Sequence, residues 1–328
     1  MTRPAYSPSL RIIKISLTSP QLRQLSIIIM STTATKTSDD SAKLLAKSVL
    51  DSTRARAKKA HASLGVIRLD YDYPPAPGDI DSQDSFGYDV FYRAVPGLSF
   101  EMCQKGVLTD KVKAEFIEAV VWLDKEKNVS AITGDCGFMM WFQELARQYT
   151  HKPVCMSSLV QLPSVAAAYS KHEDIAIFTA NSVSLKPMNS LIEDQCGVNP
   201  EDTRFHIVGC QDVPGFEAVA VGGKVDVKYV TPGIVALAKA ELAKNPTIRA
   251  FLLECTELPP YSDAIRQATG LPVFDAITCC NMFIEGLVDN PRFGISDWHA
   301  EWDGVQEAYS LGQHLDEEDK EALQSISK

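Results

Sequence analysis

The chain has 328 residues, 45% of them hydrophobic and 23% charged, with a formal net charge of −10. That is a globular composition, long enough for one large or two ordinary domains with real cores. Residues 1–38 hold five basic residues and no acid, leaving 27 basic against 42 acidic residues elsewhere, a balance that excludes nucleic acid and anionic membrane surfaces as partners.

No apolar run reaches the roughly 18 residues that span a bilayer. The acid-free, Ser/Thr-rich stretch 1–38 has the composition of an organelle transit peptide or of a disordered tail, which leaves a cytoplasmic or a plastid location open. It is expected to add nothing to folding or catalysis. Residues 39–60 are polar and helix-prone.

The first strand is expected at Leu64–Leu69, running into Asp70-Tyr71-Asp72-Tyr73. The run Pro74-Pro75-Ala76-Pro77-Gly78 cannot continue a strand and must form a rigid loop at its C-terminal end. A second strand follows at Asp89–Ala94. Phe116, Val120 and Leu123 share one face of a helix over 110–125, with Asp110 as N-cap. Val129–Thr133 is a buried strand, and Phe138–Tyr149 reads as a helix. In the second half, strands are expected at Ile175–Ala180, Phe205–Gly209, Arg249–Leu253 and Pro272–Ile277. Helices are expected over 184–196, over 232–244 with Pro232 at the first position, and over 261–269. The last 30 residues or so are polar and helical, packing on the outside.

Short apolar strands alternating with helices mean parallel sheets covered by helices. The halves also share a frame. Val95-Pro96-Gly97 leads through helix to Lys127-Asn128 and a strand ending Thr133-Gly134-Asp135-Cys136. Val213-Pro214-Gly215 leads through helix to Lys244-Asn245 and a strand ending Leu253-Glu254-Cys255-Thr256. Gly97 to Cys136 is 39 positions and Gly215 to Cys255 is 40. The fold class is therefore α/β, with two pseudo-symmetric domains, each a mostly parallel sheet flanked by helices, and the active site between them. The first domain covers 61–160 with 277–328 returning to it, the second 161–276, and 1–60 forms an N-terminal extension.

In such sheets ligands bind at the C-terminal ends of strands, where Cys136 and Cys255 both fall. Two thiols facing one carbon can move a proton on and off it. Cys136 precedes a helix, whose N-terminus would favour thiolate, and Gly134 and Gly137 let backbone approach a ligand. Asp135 beside it opposes ionisation unless it points away. Thr256 offers a hydroxyl and an amide to a carboxylate, and Glu257 could orient a thiol or meet a cation. Asn181-Ser182 follows a strand end and is a further candidate for a carboxylate. The other cysteines read as core, Cys279-Cys280 included, and no Cys-x-x-Cys pair suggests a metal site. His151, His172 and His206 show no spacing with an acid or a nucleophile.

Cys255-Thr256-Glu257-Leu258-Pro259 after an apolar strand resembles the second catalytic motif of the aspartate/glutamate/hydantoin racemase superfamily, over roughly residues 64–290. The resemblance implies two pseudo-symmetric α/β domains, one cysteine from each, and no cofactor or metal. The first motif departs from the amino-acid racemases, where Asn-Thr usually follows the cysteine; here Gly137-Phe138-Met139-Met140 stands. Thr-Gly-Asp-Cys-Gly-Phe-Met, with the Pro-Pro-Ala-Pro-Gly-Asp loop, is similar instead to the algal dimethylsulfoniopropionate lyase branch. That likeness implies a redox-sensitive homo-oligomer, typically a tetramer, that cleaves a small sulfonium carboxylate to dimethyl sulfide and acrylate. Elimination needs one base and donors for the developing enediolate, and Cys255 is assigned the α-proton with Cys136 assisting. Tyr71, Tyr73, Trp141 and Glu257 are candidates to face the sulfonium. Two alternatives stay open: an aspartate, glutamate or hydantoin racemase using both cysteines, and a non-enzymatic thiol protein that senses oxidation.

Overall fold

Strand β1 (Ser63–Arg68) is buried along almost its whole length, as an apolar strand must be when helices cover both faces of a parallel sheet. The computed structural model describes residues 62–71, 75–287 and 315–326. β1 pairs in parallel with β2 (Asp89–Ala94) on one side. On the other it pairs with β3 (Ala131–Gly134), which pairs with β4 (Val154–Cys155), giving the order β2-β1-β3-β4. The second sheet repeats this. β5 (Asp174–Thr179) pairs with β6 (Phe205–Gly209) and β7 (Ile248–Leu253), and β7 with β8 (Val273–Phe274), in the order β6-β5-β7-β8, all parallel.

The repeated frame has a backbone cause. Gly97 at φ 80° and Gly215 at φ 88° adopt a left-handed conformation that other residues resist. Each lies in the same turn: Leu98 donates to the Val95 carbonyl and Phe216 to the Val213 carbonyl, both at 3.0 Å. From these turns the chain leaves for the helices preceding β3 and β7.

The helices are more broken than their patterns suggest. α1 (Phe100–Lys105), which the sequence reading passed over, is capped by Ser99 and ended by Gly106 at φ 65°. α2 (Asp110–Val121) takes Thr109 rather than Asp110 as its cap and then widens into a π-turn over 122–126. The helix expected over 138–149 begins as a 3-10 turn at Gly137–Phe142 and becomes α3 only at Gln143–Arg147. α4 (Leu162–Ala167) has Pro163 in its first turn. The segment expected as one helix over 184–196 is α5 (Ser182–Leu185), a 3-10 turn at Pro187, and α6 (Asn189–Cys196). α7 (Val227–Lys244) starts five residues before Pro232, capped by Asp226. Pro232 therefore sits inside the helix. α8 (Ser262–Thr269) ends at Gly270.

The strand expected over 272–277 stops at Phe274 because Asp275 caps α9 (Ala276–Glu285) through a reciprocal bond pair with Thr278. α9 leaves the second sheet and packs behind the first, where Ala276, Cys280 and Ile284 meet Leu64, Val66 and Ala131. A central apolar cluster takes Ile67 and Ile132 from one sheet together with Ile177 and Leu252 from the other. A further cluster lies beneath α7 and α8. Of the polar C-terminal stretch, α10 (Glu317–Ile326) is an exposed helix. The expectations for 1–60, and for Asp72, Tyr73 and Pro74, fall outside the described residues. No helix among the described residues is long and apolar enough to cross a membrane.

Candidate functional site

β3 and β7 each deliver a carboxyl residue and then a cysteine at their C-terminal ends, and the backbone fixes both in the same way. The Asp135 amide donates to the Ile67 carbonyl of β1 at 3.0 Å, and the Glu254 amide to the Phe178 carbonyl of β5 at 2.6 Å. The next residues, Cys136 and Cys255, line one cavity of about 40 Å³. Thr256 ties the two ends together: its hydroxyl donates to the Asp135 carbonyl across the cleft. That hydroxyl is committed to holding the halves in register. Ser158 adds a second tie by donating to the Leu253 carbonyl at 2.7 Å.

The wall of the cavity also takes Leu69, Tyr71, Phe100, Gly137, Phe138, Ala180, Val219, Gly222, Gly223, Glu254 and Glu257. No lysine, arginine or histidine stands among these described lining residues. The sequence reading named Tyr71, Asp135, Cys136, Gly137, Cys255, Thr256 and Glu257, and the structure brings these together. It does not bring Asn181, Ser182 or Trp141. The Asn181 side chain caps α5, accepting from the amides of Val183 and Ser184 at 2.9 and 3.2 Å. The Ser182 amide donates to Gln211. The Trp141 ring is spent on packing against Gly106, where a Cβ would fall 2.6 Å from it. The aromatic wall is instead Phe100 and Phe138, edge to face at 6.1 Å, with Tyr71. His206 does have an acidic partner, Asp174 at 3.0 Å, at the N-terminal end of β5.

The electrostatics correct one expectation. Cys136 precedes a 3-10 turn rather than an α-helix, and Cys136 and Cys255 are only 5% and 7% exposed. Neither thiol is lowered. A hydrogen bond with the Cys103 thiol of α1, then burial, pushes Cys136 well above the ordinary thiol range. Burial, then the charges of Glu254 and Glu257, does the same to Cys255, while the Glu257 backbone amide, bonded to the sulfur, pulls the other way.

Glu254 is the residue that sequence reasoning missed. It is 1% exposed, and one oxygen accepts from the Thr179 hydroxyl at 2.7 Å. Its other oxygen, Oε1, has no hydrogen-bond partner among the described residues and lies against Gly137, where a Cβ would come within 2.0 Å. Burial lifts its carboxyl to about 7. The signal was present: an acid closing the apolar run Phe251-Leu252-Leu253 has no place in a core unless the site uses it. Asp135 is equally buried. It is raised by burial and by Asp81, and restrained by the Leu69 amide at 2.9 Å and by Arg68. Asp81, raised to about 6 by burial, holds Arg68 at 3.2 Å and accepts from the Tyr71 hydroxyl at 2.9 Å. No group of three or more His, Cys, Asp or Glu residues suited to a metal ion exists among the described residues.

No family model matches the chain. Dimethylsulfoniopropionate lyase 7 of Emiliania huxleyi (strain CCMP1516) is 64% identical over 259 residues, 78% of this chain and 76% of that protein. Dimethylsulfoniopropionate lyase 6 of the same strain is 62% identical over 259 residues, covering 67% of its length. The dimethylsulfoniopropionate lyase of Durusdinium sp. clade D is 56% identical over 260 residues, 79% of this chain and 86% of that one. This chain belongs to the dimethylsulfoniopropionate lyase family. Among solved structures, an allantoin racemase from Klebsiella pneumoniae is similar at TM-score 0.45 and 12% identity, over 78% of this chain and 99% of that one. A likeness at that level adds nothing to the functional reading. The matched stretch of the lyase family is long enough to hold both sheets and both cysteine turns.

Proposed function

We propose that this chain is a carbon–sulfur lyase that cleaves dimethylsulfoniopropionate to dimethyl sulfide and acrylate. The observation that carries the reading is the pair of thiols, one from each mirrored turn, lining one cavity in a member of this lyase family. Cys255 takes the proton from the carbon next to the carboxylate. The C–H electron pair becomes the Cα–Cβ double bond, and the Cβ–S bond breaks with its pair on sulfur, so neutral sulfide departs. Elimination needs one base, so Cys136 serves to position the substrate or to act as an acid. Phe100, Phe138 and Tyr71 give the sulfonium an aromatic face. Burial, which makes each thiol reluctant to ionise, also strengthens the pull of a bound cation on a thiolate.

The finer reading is of a cofactor-independent enzyme that oxidation inactivates and that assembles as a homotetramer. Headspace gas chromatography after adding dimethylsulfoniopropionate to pure protein tests the reaction; dimethyl sulfide and acrylate should form in equal amounts. No sulfide, with loss of optical rotation from one enantiomer of aspartate or glutamate, overturns it in favour of a racemase. Turnover that survives alkylation of both Cys136 and Cys255, confirmed by peptide mass mapping, overturns the thiol assignment. Native mass measurement reads the assembly.

A further inference from the structure

Glu254 lines the same cavity as the two thiols. It is joined to Cys255 by one peptide bond, and its Oε1 packs on Gly137, the neighbour of Cys136. A buried carboxylate oxygen without a donor is costly to hold charged. Here the orphaned oxygen belongs to a residue that is 1% exposed and lines the cavity, whose described lining residues include no lysine, arginine or histidine. Its counterpart in the first half, Asp135, also has an orphaned oxygen, but Arg68 and the Leu69 amide restrain it. Among the described residues the Glu254 carboxyl has only the Thr179 hydroxyl. Among the described residues, the titratable groups around Glu254 are Cys136 and Asp135 after β3, Cys255 and Glu257 after β7, and Cys210 after β6.

We infer that Glu254 is the acceptor of the thiol proton, so that the base of the reaction is one thiol–carboxyl pair sharing a single negative charge. The inference rests on the lyase reading for its role in turnover. In the step, the S–H bond of Cys255 breaks, its electron pair stays on sulfur, and the proton passes through a water in the shared cavity to form an O–H bond at Glu254 Oε1. The thiolate then takes the substrate's α-proton and becomes a thiol again. Conversion of the zwitterion to sulfide and acrylate anion releases one proton, which Glu254 surrenders to reset the pair. The charge of Glu254 is, after burial, the largest influence opposing ionisation of Cys255. Neutralising Glu254 and ionising Cys255 are therefore favoured together.

Two measurements test this. Glu254→Gln should lower kcat about 100-fold and erase the acidic limb of the kcat/KM profile near pH 7. Glu254→Asp should restore at least part of both. Independently of turnover, alkylation of Cys255 by iodoacetamide, followed by peptide mass mapping against pH, should show a step near 7 in the native protein and none in Glu254→Gln. If Glu254→Gln does not fold, Thr179→Val supplies the readout: it removes the bond that favours the carboxylate, so both profiles should move to higher pH. An unchanged alkylation profile with kcat within about threefold of native overturns the inference. So does a rise in KM confined to sulfonium substrates with both pH profiles intact, which would make Glu254 a counter-charge. A native protein that forms no dimethyl sulfide defeats the lyase reading alone, and the alkylation curves still decide the role of Glu254.

Discussion

Asp135-Cys136-Gly137 and Glu254-Cys255-Thr256 occupy the same place in two copies of one sheet, yet they have diverged in opposite directions. In the first, the carboxyl is enclosed by Arg68, Asp81 and Tyr71, and the thiol is hydrogen-bonded to a second thiol, Cys103. In the second, the carboxyl has one hydroxyl partner among the described residues, and the thiol accepts a backbone amide. The lesson is that a duplicated scaffold preserves the position of a group and leaves its charge state to the neighbours. A proton base needs a route to ionisation, and in the second turn the residue before the thiol is a carboxyl lifted by burial to about 7.

The strongest way to break this comparison is to exchange the sulfurs one at a time. Cys255→Ser should lower sulfide production at least about a thousandfold, whereas Cys136→Ser should keep a trace. Exchange of the substrate's α-hydrogen in deuterated water reads the base directly. If Cys136→Ser stops exchange and Cys255→Ser does not, the two turns have the reverse roles.

Stability against pH sharpens it next. The Glu254 carboxyl titrates at about 7 when folded, against 4.5 as its ordinary value. The folded state therefore holds its proton more tightly. Stability is full below about pH 4.5 and falls as pH rises to 7, by about 3 kcal/mol for this group. Asp135 and Asp81 are raised as well and slope the same way. Glu254→Gln should flatten part of the slope, seen as a smaller gap between melting temperatures at pH 5 and pH 8. An unchanged gap would place the titration elsewhere.

Gly137→Ala probes the contact between the turns. Its new methyl would meet Glu254 Oε1, which must move. A loss of about 2 kcal/mol in denaturant titration is expected, with activity falling further than stability explains. Thr256→Val should have the smallest effect. It strips the Asp135 carbonyl of its donor and should cost about 1 kcal/mol, seen as a few degrees in melting temperature.

Much of this comparison was legible in the sequence because strands carry their pattern locally. The parallel layout, the repeated Val-Pro-Gly turns and the convergence of both cysteines followed from apolar runs and glycines whose conformations are set within a few residues. What escaped depended on partners far along the chain. Trp141 looks like a ligand aromatic until Gly106 is seen beneath it, and Asn181 looks like a substrate contact until its own helix claims it. Phe100 reaches the cavity from α1, a helix of one and a half turns too short to show a period. The charge state of the thiols was misread for the same reason. Helix position is local, but burial and the nearness of Cys103 to Cys136 belong to the folded chain.

The ties between the halves have a consequence for how the molecule comes apart. Thr256 donates into the first half's turn, Ser158 into the second's, and Gln161 reaches the Asp275 carbonyl at 2.9 Å. α9, made after the second sheet, completes the core behind the first. Ile67 and Ile132 share an apolar cluster with Ile177 and Leu252. One face of each sheet is closed in a cluster shared with the other half, so the duplicated body is one cooperative unit. Heating should melt it in a single transition, and neither half expressed alone should hold its shape.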